Sequence, residues 1–190
     1  MGKKEKCQNP NNKYQMKIFS LIGIFELGTI ESSLGICNLS FGFFSTMFIG
    51  EYSHTIDLKK RLALPSKFRG ELGNKVVVTR GLDNCLFVYP IKVWEELATK
   101  LGTLPVGEAG TRSFIRIMLA GATDVELDSQ GRILLPEYLK SDGGLKKDVT
   151  IVGLFNRLEI WDTVRWNKYK TQAEKNTGKI AEDLGKLGVY

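Results

Sequence analysis

The chain has 190 residues, 43% of them apolar, a composition that suits one compact domain or two small ones and excludes a disordered tail. Its formal charge of +6 and pI near 9.2 favour an anionic partner without requiring one. A single histidine, three distant cysteines (Cys7, Cys37, Cys85) with no Cys-x-x-Cys pair, and no Gly-rich phosphate loop leave little material for nucleophilic, metal or nucleotide chemistry. Neither catalysis nor a cofactor is expected, and the thiols read as reduced ones of a cytoplasmic protein.

Residues 1–46 begin with a basic, polar stretch and continue into an apolar run at 18–25 that Glu26 interrupts. That run is well short of the roughly 20 residues that span a bilayer, and no convincing small-x-small cleavage site follows Phe25. No membrane partner is expected. Residues 27–46 show neither helical nor strand period. Met47 stands directly before the patterned part of the chain, so 1–46 reads as an unpatterned extension or a mis-called start. Without it the count is 22 basic against 18 acidic residues, and a surplus of +4 survives.

Strands are expected at 53–57, 61–64, 75–80 and 85–89, followed by a helix over 91–101. A linker with Pro105 occupies 102–110, and a helix over 111–120 ends at Gly121. Val125 and Leu127 then alternate with Glu126 and Asp128, Ser129-Gln130-Gly131 makes a turn, and Arg132-Ile133-Leu134-Leu135 returns, which reads as a β-hairpin. Gly131 accepts a positive φ at no steric cost, and Asp128 can hydrogen-bond the turn backbone. Pro136 stops the ladder before a short helical turn at 137–140. Strands at 148–152 and 158–161 follow. A helix capped by Asp162 and Thr163 then carries Val164, Trp166 and Tyr169 before Asn176-Thr177-Gly178 breaks it.

The chain repeats itself. Asp57, Arg61 and Pro65 recur as Asp128, Arg132 and Pro136 at an offset of 71, and Leu86-Phe87-Val88-Tyr89 and Trp94 recur as Leu158-Glu159-Ile160-Trp161 and Trp166 at an offset of 72. Aromatic, proline and charge landmarks stay in order, so the chain is a tandem duplication with one inserted residue between registers. A module of about fifty residues buries too little surface to be secure alone. The expected fold is therefore α+β, with the two modules packed as a pseudo-dimer around one β-core with flanking helices. The expected units are 1–46, a first module at 47–101, a linker and helix at 102–121, a second module at 122–169 and a helical tail at 170–190. Trp94, Trp161 and Trp166 are expected as core anchors, and His54 as a strand residue.

Asp-x-x-Gly-Arg-Ile-x-Leu-Pro after an alternating strand resembles the swapped-hairpin module of the AbrB and SpoVT group. Two modules in tandem, opening on Met47-Phe48-Ile49-Gly50-Glu51-Tyr52 and carrying a central Arg112-Ser113-Phe114-Ile115-Arg116 helix, resemble the MraZ family over 47–169. That resemblance implies a nucleoid-associated, cytoplasmic transcription factor, usually a repressor of its own promoter ahead of the cell-wall and division gene cluster. It also implies ring-like homo-oligomers that bind repeated boxes in double-stranded DNA. Lys60 departs from the pattern, standing where the family has Gly, so the first turn must either avoid a positive φ or tolerate it.

Arg61 and Arg132 follow the turns, where a guanidinium can fork onto guanine or phosphate. An ion pair with Asp57 or Asp128 that only fixes the turn is the alternative, and both can hold at once. The two aspartates, with Gly131, are expected to organise the turns rather than meet phosphate. Lys59 and Lys60 at the first turn, and Lys67, Arg69 and Lys140 after the prolines, are the remaining candidate DNA contacts, against the alternative of a solvated basic face. Two rival functions stay open: an antitoxin-like regulator that neutralises a toxin, and a structural oligomer without DNA binding. A chain begun at Met47 is expected to fold and bind as the full chain does. A large loss of stability or affinity on that truncation would instead make residues 1–46 functional.

Overall fold

The computed structural model describes residues 47–186 and 188, and the segment 1–46 lies outside the described residues. The strands are β1 (Phe48–Thr55), β2 (Arg61–Ala63), β3 (Lys75–Arg80), β4 (Leu86–Pro90), β5 (Thr123–Glu126), β6 (Arg132–Leu134), β7 (Asp148–Phe155) and β8 (Arg157–Asp162). The helices are α1 (Ser66–Leu72), α2 (Ile91–Gly102), α3 (Ala109–Ala120), α4 (Glu137–Asp142), α5 (Thr163–Lys175) and α6 (Thr177–Lys186). Local chemistry sets several boundaries. Pro65, Pro90 and Pro136 each stand at the N-cap of a helix with φ between −54° and −57°; Pro90 also ends β4, while Pro65 and Pro136 follow two residues after β2 and β6. Asp162 caps α5 by accepting the Arg165 N–H at 3.3 Å.

Strand partners differ from the expected hairpins. The strand before each turn does not pair as a ladder with the strand after it; in the first copy a single bridge, Ile56 to Leu62, remains. Instead β1 pairs with β7, β5 pairs with β3, and the two short arms β2 and β6 pair with each other. A three-residue arm offers too few hydrogen bonds and too little apolar surface to be held locally. Against its counterpart it gains a ladder extended at both ends, by Leu64 N–H to the Gly131 carbonyl (2.9 Å) and Leu135 N–H to the Lys60 carbonyl (3.0 Å). Leu62, Leu64, Ile133 and Leu135 then all reach zero exposure. The modules are thus exchanged into one body, as the resemblance implies.

The six-stranded antiparallel sheet runs β1-β7-β8-β4-β3-β5, and exchanging the copies reverses this order onto itself. A pseudo-two-fold axis therefore passes between β4 and β8 at the Phe87 and Glu159 pair, and between β2 and β6 at the Leu62 and Ile133 pair. The registers also resolve the inserted residue. Thr55 faces Asp148 while its mate Glu126 faces Lys75, an offset of 73, so the second copy gains two residues before β7 and drops one in the turn before β8.

One face of the sheet meets β2, β6, α1 and α4 across a core that includes Phe48, Phe68, Val88, Leu139 and Ile160. Phe68 stands edge-on to Phe48 and Tyr52, with centroids 5.3 and 5.2 Å away. The other face carries Phe87, Tyr89 and Trp161 beneath α2, α3 and α5, with Trp94 and Trp166 packed against them. All three tryptophans thus lie in or against the core, as expected. None of the described helices is long and apolar enough to cross a membrane.

The two turns share one backbone shape with different residues. Lys60 holds φ 62° and Gly131 holds φ 71°, so the first turn tolerates the left-handed conformation rather than avoiding it. A Cβ on Gly131 would also collide with the Arg69 side chain. Lys60→Gly should therefore be at least as stable as the parent chain, since relief of about 1 kcal/mol of backbone strain outweighs an exposed ion pair. Gly131→Ala should lose about 1–2 kcal/mol or more. Urea unfolding midpoints measure both, and equal midpoints for the two variants would contradict this reading of the turns.

Candidate nucleic-acid interface

In each turn one carboxylate does two jobs. Asp57 Oδ1 accepts the Arg61 backbone N–H at 2.9 Å while its Oδ2 accepts Arg61 Nε at 2.8 Å and meets Nη2 at 2.7 Å. Asp128 repeats this with Arg132 at 2.9, 2.7 and 2.6 Å, and adds the Gln130 N–H at 2.9 Å. The backbone closes both turns, with the Arg carbonyls accepting the Asp57 and Asp128 N–H groups at 2.9 Å. The Arg132 side chain, then its backbone N–H, holds the Asp128 carboxyl down to about 2. For Asp57 the Arg61 backbone N–H leads and the guanidinium follows, again lowering the carboxyl. The expected ion pairs are therefore present, and both aspartates organise their turns. Each guanidinium spends one edge on its carboxylate and keeps the Nη1 side for another partner.

The arms aim these arginines. Leu62 and Ile133 point into the core, so alternation sends Arg61, Ala63, Arg132 and Leu134 to the outer face of the β2 and β6 ribbon. Arg61 stands opposite Leu134 and Ala63 opposite Arg132. The two arginines are thus two positions apart along the ribbon, roughly 7 Å, and one strand apart, about 5 Å. Their side chains keep 32% and 25% exposure, enough to be met from outside while still held by the aspartates.

Each turn is completed by the other copy. Arg69 on α1 donates its Nε–H to the Leu64 carbonyl at 2.8 Å and lies over Gly131 of the second turn. Lys60 of the first turn reaches Glu137 on α4, Nζ to Oε2 2.7 Å, and lowers that carboxyl. Lys140 is the copy-mate of Arg69 and lies half-buried on α4. Lys59 and Lys67 are exposed and pair with no carboxylate among the described residues. The structure therefore gathers Lys59, Lys60, Arg61, Arg132, Lys67, Arg69 and Lys140 around one ribbon and its flanking helices, with Lys60 and Arg69 partly committed to structural bonds. His54 lies half-buried on β1, and burial first, then Arg69, lowers its imidazole. Two further arginines are occupied elsewhere: Arg80 pairs with Asp142 at 2.6 Å, and Arg112 braces the linker carbonyls of Val106 and Gly107.

Two features escape a reading by sequence alone. Leu58 at the tip of the first turn is fully exposed, an apolar residue where turns favour polar ones. Lys146 and Lys147, just before β7, come to lie beside the first turn through the exchange, because Ile56 N–H donates to the Lys147 carbonyl at 2.8 Å.

The family model described as the MraZ protein, antitoxin-like, matches the chain twice, over residues 47–117 and 118–186. The chain belongs to the MraZ family. It is 48% identical over 143 residues to a Halothermothrix orenii protein, covering 75% of this chain and all of that one. A Moorella thermoacetica protein is 50% identical over 138 residues, 73% of this chain and 96% of that one. A Limosilactobacillus reuteri protein is 49% identical over 138 residues, 73% of this chain and 97% of that one. All three are named Transcriptional regulator MraZ. The two MraZ matches meet inside α3, and each contains one Asp-x-x-x-Arg turn.

The Asp128 pair has a definite acid signature. Its folded carboxyl titrates at about 2, against roughly 3.9 in an unfolded chain. A depressed folded value gives stabilisation that is complete above the unfolded value and lost as pH falls through 3.9 toward about 2. Asp128→Asn should therefore melt below the parent chain at neutral pH, and the gap should close as pH approaches 2. Thermal melts across that range measure it; a gap constant down to the lowest pH would mean that the ionised carboxylate contributes nothing.

Proposed function

We propose that this chain is a sequence-specific double-stranded DNA-binding transcriptional regulator whose reading surface is the outer face of the β2 and β6 ribbon. One observation carries the reading: two arginines, each oriented by an aspartate, stand on one exposed two-stranded ribbon, and the major groove admits such a ribbon. The names of the relatives support it. In this reading Arg61 and Arg132 fork onto base edges, Lys59, Lys60, Lys67 and Lys140 meet phosphates, and Arg69 both braces the second turn and adds charge to the face. Asp57, Asp128 and Gly131 fix turn shape, so the arginines lose little freedom on binding. No catalysis or cofactor enters.

The regulator acts as a closed, ring-like homo-oligomer on repeated promoter boxes, repressing its own promoter and the cell-wall and division cluster from the nucleoid. Exposed apolar residues support association: Phe114, Ile117 and Leu119 on α3, and Val164 and Tyr169 on α5. Repetition of weak contacts then supplies affinity. The antitoxin reading rests on the words of the family description alone and gains no observation of its own here.

A footprint on the DNA upstream of the coding sequence should show repeated protected boxes. Light scattering across a dilution series should report a mass well above the 21.3 kDa of one chain. Arg61→Ala or Arg132→Ala should lose roughly 1–3 kcal/mol of discrimination between that DNA and a scrambled duplex. Lys59→Ala should instead weaken both duplexes alike. Arginine variants that melt earlier yet discriminate equally well would reduce the arginines to turn braces, and no DNA binding at low salt would favour a structural oligomer.

A further inference from the structure

The exchange of the copies gives the first turn something that the second lacks. Ile56, directly before Asp57, donates to the Lys147 carbonyl at 2.8 Å, and its copy-mate Leu127 makes the same bond to the Asn74 carbonyl at 2.9 Å. The loop beside the first turn therefore carries Lys146 and Lys147, whereas the loop beside the second carries Gly73 and Asn74. Both lysines are exposed, and neither pairs with a carboxylate among the described residues. Lys59 at the same turn is likewise unpaired and exposed. Three exposed, unpaired lysines on one turn and the loop bonded to its base make a concentration of positive charge that a polyanion can neutralise. At the second turn the corresponding positions Gln130, Gly73 and Asn74 carry no charge.

We propose that Lys146 and Lys147 form, with Lys59, a phosphate-gripping end of the DNA-reading ribbon, so that each subunit holds the duplex backbone more strongly at its first turn than at its second. This rests on the DNA-binding reading above and adds to it a residue set and a polarity. A subunit whose fold is nearly two-fold symmetric would then lie on DNA in one direction, because its two ends differ in charge. The lysines supply affinity and register through phosphates, while discrimination stays with the arginines.

The test measures binding to two duplexes of equal length, one from the region upstream of the coding sequence and one scrambled, between roughly 0.05 and 0.2 M salt. The Lys146→Ala, Lys147→Ala double variant should flatten the slope of log affinity against log salt by roughly 0.9 for each phosphate that a bound subunit no longer neutralises, about eightfold weaker binding per phosphate at 0.1 M. The ratio of the two affinities and the melting curve should not move. Replacing both lysines by arginine should restore the slope. Asn74→Lys, which adds the charge at the copy-mate of Lys147, should steepen it and supports the proposal independently of how the double variant folds. A parent chain that binds DNA with salt dependence while the double variant keeps the same slope overturns the proposal and leaves the DNA reading standing. A fall in the affinity ratio at unchanged slope also overturns it, by moving these lysines to base readout. A parent chain that binds neither duplex at any salt overturns the DNA reading itself.

Discussion

Everything on the candidate interface depends on the pairing of two three-residue arms, β2 and β6, across the pseudo-two-fold axis. Neither arm has a ladder within its own copy, so neither outer face exists until the copies are exchanged. The same pairing buries Leu62, Leu64, Ile133 and Leu135, which ties the position of the arginines to the hydrophobic core rather than to a mobile loop. Edge strands β1 and β5 complete the exchange by joining the sheet of the other module. A change in core packing under the ribbon would therefore be felt at Arg61 and Arg132, and load on the arginines is carried back into the core.

Electrostatics refine what packing places. The aspartate of each turn takes a backbone N–H with one oxygen and the guanidinium with the other, so turn shape and arginine direction are set by one group. Exposed ion pairs add little to stability. Their value here is orientation, since a planar fork held along one edge presents its other donors in a fixed direction. The copies then diverge in detail: Lys60 turns to Glu137, Arg69 covers Gly131, and the lysines beside the first turn have no counterpart at the second. Symmetry of fold and asymmetry of charge coexist because the core fixes the first and surface residues the second.

The local features were legible in the sequence. The Asp, Arg and Pro of both motifs, with Gly131 in the second, announce a turn, a strand and a stop, and the offset between the copies announces duplication. Strand 75–80 and the cap at Asp162 follow from local residues in the same way. Partner choice was not legible, because strand pairing is a long-range decision. Two tempting hairpins became an exchange once a three-residue arm had to find its hydrogen bonds. Helix α1 was missed since Gly70 weakens its propensity, although Phe68 and Leu72, one helical turn apart and both buried, were its signal. The first strand begins at Phe48 rather than at 53, since Gly50 with φ 115° breaks the pattern and pairing with β7 supplies what alternation does not. Lys146 and Lys147 read only as residues ahead of a strand, because nothing in their neighbourhood reveals that the first turn of the other module lies beside them.

The most direct test of DNA binding through the ribbon places a photocrosslinking amino acid at Ala63, which faces outward on β2 opposite Arg132, and a control at Glu96 on α2, beyond the far face of the sheet. Each variant is irradiated on the duplex from upstream of the coding sequence, and the adducts are mapped by nucleotide. Crosslinks from position 63 to bases inside the protected boxes, with few from position 96, are the expected result. Crosslinks from position 96 and none from position 63 would contradict DNA binding by the ribbon.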